Sequence, residues 1–169
     1  MRFVVWTFSI CATMLGAGAV SAQTYPSKPI RIVTAQAGGG TDFVARLIAQ
    51  GLTDSLKQPV IIDNRGGNVS IGAEIVAKAA PDGHTLLLNA ATFWVAPLLQ
   101  AAPYDPVRDF APITLATTAP NMLVVHPSLP AKSVKELIAL AKAKPGMLNY
   151  GGSTAGSSTH LAVESFKAM

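Results

Sequence analysis

The chain is predicted to be an α/β protein, built on a parallel sheet with helices on both faces. Two short β-branched runs, Ile30–Val33 and Val60–Ile62, and a third strand-like segment, His84–Asn89, alternate with apolar segments of helical spacing. This strand–helix–strand–helix–strand rhythm is that of parallel sheets joined by crossover helices. The first two runs end in glycine-bearing turns, Gly38-Gly39-Gly40 and Asn64-Arg65-Gly66-Gly67. No internal repeat and no low-complexity linker interrupts the pattern.

The chain has 169 residues, half of them hydrophobic, with a formal charge of +4. That composition suits one ordinary globular unit. The basic residues are scattered without interleaved aromatics, so nucleic acid is not expected as a partner.

Residues 1–22 read as a cleavable export signal. Arg2 supplies a positive start, Phe3–Leu15 is apolar, and Val20-Ser21-Ala22 offers small residues before a mature start at Gln23. The apolar stretch is shorter than the ~20 residues of a spanning helix. A soluble exported protein is therefore expected. Cys11, the only cysteine, lies in the signal, so the mature chain has neither disulfide nor thiol nucleophile. No cofactor is implied. The three histidines are far apart in sequence without carboxylates at ligand spacing, so no metal is expected.

In the mature chain, Gln23–Pro29 leads into the first strand. Thr41–Leu56 places Phe43, Val44, Leu47, Ile48, Leu52 and Leu56 at helical spacing. Ile71–Ala80 is a second helix, stopped by Pro81-Asp82-Gly83. Beyond Asn89 the rhythm changes. Ala91–Leu99 reads as a short helix interrupted near Pro97, and Tyr104–Phe110 as a turn-rich segment. Ile113–Thr118, Met122–His126 and Leu148–Tyr150 read as strands. Ser133 and Glu136 have the spacing of a capping box opening a helix over Val134–Ala143, which Pro145-Gly146 ends. A last helix starts near Ser158 and carries Leu161, Val163 and Phe166, an apolar face with no later element to cover it.

Two glycine- and hydroxyl-rich loops, 36–42 and 151–159, each follow a strand and open a helix. Glycine lets the backbone approach a ligand closely, and the first N–H groups of a helix have no partner within it. Such a junction suits an anion. Gly38, Gly39, Gly40, Thr41 and Asp42 form the first candidate site. Ser153, Thr154, Ala155, Gly156, Ser157 and Ser158 form the second, and Arg65 and Gly67 line a third loop at the same sheet edge. Two facing helix N-termini would suit a dicarboxylate. Thr41 or Asp42 is expected to cap its helix; Asp42 could instead bridge through water or meet a ligand amine. Arg65 could pair with a carboxylate ligand or with Asp63. Gly151-Gly152-Ser153-Thr154-Ala155 is a near miss to a nucleophile elbow, which makes a secreted serine hydrolase using Ser153 the rival reading. His160 lies too close in sequence to serve Ser153 comfortably, and His84 and His126 are expected to be structural or surface residues.

Taken together, Tyr25–Ile30, Gly38–Asp42, Asn64-Arg65, Ile71–Glu74, Ala80–Leu87, Tyr104–Ile113, Ser128–Leu137 and Lys144–Tyr150 resemble the Bug, or TctC, family of solute-binding proteins. These serve tripartite tricarboxylate transporters. The resemblance implies a periplasmic-binding-protein-like (type II) architecture of two lobes closing on a small carboxylate solute. The family chain is roughly twice as long and crosses twice between lobes. Residues 23–100 would then form most of lobe one and 101–169 the start of lobe two, with the rest absent. It further implies membrane transporter subunits as partners and a monomer when complete, with a truncated, non-functional remnant as another alternative. Both hydroxyl- and glycine-rich loops would grip the carboxylate, partly through N–H groups and water. Departures occur at Thr34-Ala35-Gln36-Ala37, where the family usually carries phenylalanine and proline, at Gly66–Ser70, and at Gly152–Gly156.

Overall fold

A computed structural model describes residues 25–169; the export signal expected over 1–22 lies outside them. Strand β1 (Ile30–Thr34) forms the centre of a parallel sheet, flanked by β2 (Val60–Asn64) and β3 (Thr85–Leu88), in the order β2-β1-β3. Its central place explains its sequence. Ile30, Ile32, Val33 and Thr34 are all buried, as a strand covered on both faces must be.

Side chains alternate along β1. Ile32 packs with Ala45 and Ala49 of helix α1 (Gly40–Leu56) on one face, joined by Ile48, Val60, Ile62, Leu86 and Leu88. Val33 turns to the other face and meets helix α2 (Val69–Ala77) at Gly72, where a Cβ would come within 3.3 Å of Val33 Cγ1. That close approach is why a glycine sits inside α2. The helix starts earlier than Ile71 because the Asn68 side chain accepts the Ser70 N–H and caps it.

Helix α3 (Thr92–Leu99) forms as expected, but Pro97 lies inside it rather than interrupting it. Proline has no N–H to give the carbonyl four residues back, that of Phe93. The Tyr104 hydroxyl donates to that carbonyl instead, at 2.8 Å and buried. Tyr104 also stacks on Phe93 with ring centroids 5.2 Å apart, and Phe110 meets Phe93 edge-on at 4.9 Å. With Ala73 and Leu87 they form a second core between α2, α3 and the 102–110 turns.

At the N-terminal end of the sheet, the Tyr25 hydroxyl donates to Gly83 O and Lys28 pairs with Asp82, both at 2.8 Å. Buried His84 packs edge-on against Tyr25, with Nδ1 3.0 Å from Asp82 O. His126 is exposed beside Ser128. Among the described residues neither histidine bonds to the glycine loops, in line with their reading as structural or surface residues.

The second part of the chain departs from expectation. Ile113–Thr118, Met122–His126 and Leu148–Tyr150 are irregular and exposed, not strands. β-branched composition favours extended backbone, but a strand exists only where a neighbour takes its N–H and C=O groups. No such neighbour is present among the described residues. Helix α4 (Val134–Ala143) has the predicted bounds. Ser133 Oγ accepts the Glu136 N–H, while Glu136 reaches back to the Lys132 N–H at 2.6 Å. Leu137 of α4 lines a shallow cavity of about 220 Å³ with Leu123, Val125, Ala131 and Val134. Helix α5 (Ser158–Lys167) buries none of its residues. Among the described residues, no helix is long and apolar enough to cross a membrane.

Replacing Tyr104 by Phe strands the buried Phe93 carbonyl, so urea unfolding should show a loss of about 1–2 kcal/mol. In a Pro97→Ala background, residue 97 can supply the missing N–H, and the same replacement should cost clearly less.

Candidate functional site

The loops after β1 and β2 leave the sheet side by side, because Thr34 is in register with Asn64 and the Arg65 N–H donates to Thr34 O at 2.8 Å. The first loop turns through Gly38, whose φ of +79° favours glycine, and enters α1 with Gly39 as N-cap. No side chain caps this helix. Thr41 and Asp42 are not caps, contrary to expectation, because the helix begins at Gly40 and takes both into its first turn.

Asp42 does something else. Its Oδ2 accepts the Gly38 N–H at 2.8 Å and Arg46 Nε at 3.1 Å, and its Oδ1 accepts Asn64 Nδ2 at 2.9 Å. Asn64 Nδ2 also donates to Ala35 O at 3.0 Å, and Arg46 Nη2 reaches Asn64 Oδ1 at 3.3 Å. One buried carboxylate thus ties the glycine turn, the helix and the end of β2 together. The Gly38 N–H first, then Arg46 and Asn64, hold the Asp42 carboxyl down to about 2.

With Asp42 committed inward, the N–H groups of Gly40, Thr41 and Asp42 find no acceptor among the described residues. Gly39 and Gly40 are exposed. The helix dipole adds partial positive charge at this end.

Arg65 is exposed, and its Nε pairs with Asp63 Oδ1 at 2.9 Å. Arg31 binds the other oxygen of the same carboxylate. Burial pushes the Asp63 carboxyl up, but its hydrogen bonds to Arg31 and then Arg65 outweigh this and leave it lowered. Two guanidinium groups on one carboxylate leave one positive charge in excess beside the glycine loops. Gly67, at φ +92°, is exposed in the same loop.

The 151–159 loop is built separately. Gly156, at φ +80°, lies buried against α3, where a Cβ would meet Leu99, Val95 and Thr92. Ser157 is the buried N-cap of α5 and accepts the His160 N–H at 3.1 Å. Ser153, Thr154 and Ala155 are exposed, and Ser158 reaches Asn121 Oδ1 at 3.3 Å. The Ser158 and Thr159 N–H groups find no acceptor among the described residues. Gly38–Asp42 and Asn64–Gly67 are thus brought together, whereas no hydrogen bond or ion pair joins either to 153–158. Nor is Ser153 paired with a histidine. His160 Nδ1 accepts the Gly156 N–H at 3.3 Å, and its Nε2 faces Glu164 at 3.9 Å.

Sequence reasoning missed Asn64 and Arg46 as parts of the tie around Asp42, and gave Asp63 only as an alternative partner of Arg65. Arg46 stands four residues after Asp42, the spacing of a helical ion pair, and was the one legible signal.

The family model described as the tripartite tricarboxylate transporter family receptor, TctC, matches residues 44–169. The chain belongs to that family. Among its TctC relatives, Protein BugT of Bordetella pertussis is 41% identical over 156 residues, covering 89% of this chain and 48% of that one. A solved structure described as R. palustris Rpa4515 with adipate is 39% identical with a TM-score of 0.79, over 86% of this chain and 50% of the other. MatC (Rpa3494) from Rhodopseudomonas palustris with bound malate is 33% identical with a TM-score of 0.59, over 70% of this chain and 42% of the other. The mixed α/β fold is therefore that of periplasmic solute-binding proteins. The chain spans about half the length of the curated relatives it matches.

Asp42 has its folded carboxyl lowered, so the stability it contributes is present above the ordinary carboxylate range and lost as pH falls through about 2. Asp42→Asn should be less stable than the parent at pH 7, and should lose less further stability between pH 4 and pH 2. Urea midpoints measured across that window check both signs.

Proposed function

We propose that this chain is the receptor component of a tripartite tricarboxylate-type transporter, capturing a small carboxylate in the periplasm for delivery to membrane subunits. The observation that carries this reading is the open N-terminus of α1, with three unspent N–H groups. The acidic residue in its first turn is already neutralised by Arg46. Backbone donors and the helix dipole are the means by which a helix end holds an anion. The excess positive charge around Asp63 favours the same occupant. Relatives solved with adipate and with malate make a small dicarboxylate the first class to test.

In this reading residues 23–100 belong to lobe one and 101–169 to lobe two. The crossover runs near Leu99–Phe110, and residues 1–22 are the export signal. The loop 153–158 supplies the second grip, through the Ser158 and Thr159 N–H groups, when the lobes close. The complete receptor is a monomer and a binding protein rather than an enzyme. The Ser153 hydrolase has no observation in its favour, since the nearest histidine in sequence is engaged with Gly156 and Glu164.

Gly40 separates binding from folding, because a Cβ there meets nothing within 4 Å. Gly40→Leu should leave the melting temperature unchanged while crowding the free N–H groups. Calorimetric titration with a panel of small mono-, di- and tricarboxylates should show affinity falling by roughly tenfold or more, about the worth of one hydrogen bond to a charged group. Undiminished affinity would remove the α1 terminus from the site.

A further inference from the structure

Among the amide and charged side chains of the two adjoining loops, 35–42 and 64–67, nearly all are spent on one another. Asp42, Arg46 and Asn64 form the closed tie described above, and Arg65 is held by Asp63. Gln36 is the exception: it is exposed, and its side-chain amide takes part in no hydrogen bond among the described residues. Its backbone is nonetheless fixed, because its carbonyl accepts the Gly39 N–H at 3.3 Å in the turn that enters α1. Its stem lies across the second loop. A Cβ on Gly66 would sit 3.4 Å from Gln36 Cβ and 3.5 Å from its Cγ, so the bare Gly66 backbone is what lets the side chain pass there.

An uncommitted amide, carried on a backbone bonded to Gly39, the N-cap of α1, has a definite chemical use. It donates and accepts, carries no charge, and so adds little to the hold on a carboxylate. It suits a hydroxyl or carbonyl oxygen on the carbon chain next to that carboxylate. Resting on the carboxylate-receptor reading, we propose that Gln36 is a specificity-determining residue. It favours small carboxylates bearing an oxygen substituent near the bound carboxylate over their saturated counterparts. Hydrogen-bonding sites discriminate in this way because the analogue lacking the group leaves a desolvated polar atom unpaired.

Malate and succinate differ by one hydroxyl and make the test pair. Calorimetric titration of the purified chain should show malate binding roughly tenfold more tightly than succinate. Gln36→Leu, of similar size, and Gln36→Ala should each bring the ratio to within about twofold while leaving succinate affinity essentially unchanged. A merely structural role for Gln36 would move both affinities together. Binding of both acids with no preference, or a preference that survives both substitutions, overturns the role given to Gln36 and leaves the receptor reading standing. Failure of the unmutated chain to bind any member of the wider carboxylate panel overturns the receptor reading itself, and the role of Gln36 with it.

Discussion

The hydrogen bond from the Gly38 N–H to the Asp42 carboxylate is the constraint on which the sheet's C-terminal edge depends. Three consecutive glycines are the most costly residues to hold in one conformation, since they surrender the most backbone freedom on folding. Left to itself, such a turn would present its N–H groups in many directions. Asp42 removes that freedom by reaching back from the first turn of α1, and Asn64 ties the same carboxylate to the end of β2 and to Ala35. The register of β1 with β2, which sets Thr34 opposite Asn64, is what puts Asn64 within reach. A negative charge at this place would repel an anion if it stood alone. Arg46 offsets it within the helix, and the pairing of Asp63 with two arginines tips the balance to positive.

Packing is concentrated before residue 111. Both cores lie there, and the Tyr104 hydroxyl fastens the turns after α3 to a carbonyl that Pro97 leaves open. Beyond it, α4 and α5 make no substantial contact with another helix or strand, and Ile113, Leu115, Met122 and Val124 stay exposed. The 151–159 loop touches the rest through Gly156 on α3, the helix that follows β3, and through the Ser158 hydroxyl at Asn121. This uneven distribution accounts for which strands could be read correctly.

Local signals sufficed where one segment decides its own state. The helical spacing of Phe43–Leu56, the β-branched runs 30–33 and 60–62, and the Ser133/Glu136 cap all became the elements expected. The three later strands failed because strand formation is a property of pairs; Ile113–Thr118 has the composition but no neighbour. Thr41 and Asp42 were misplaced as caps because both have the right chemistry, and only the backbone shows that Gly39 holds the cap position. Arg65 was legible as a choice between ligand and Asp63. The pairing with Asp63 followed from Arg31 fixing that carboxylate on the neighbouring strand, a contact across 32 residues that no local pattern reveals.

A site made of backbone donors has a consequence for how it can vary. In the proposed receptor, the Gly40–Asp42 N–H groups would offer a carboxylate the same grip whatever side chains surround them, provided the glycines and the Asp42 tie are kept. Side chains in that tie cannot be exchanged to suit a new solute, because Asp42 and Asn64 hold the donors in place. Selectivity would then come from residues that stand at the loops without supporting them. Gln36 meets that condition in the first loop, through an anchored backbone and an amide with no internal task. It also falls within Thr34–Ala37, one of the three stretches where the chain departs from the motif it otherwise resembles. On the proposed reading, a general carboxylate grip and a local choice of solute would thus occupy one turn without competing for the same atoms.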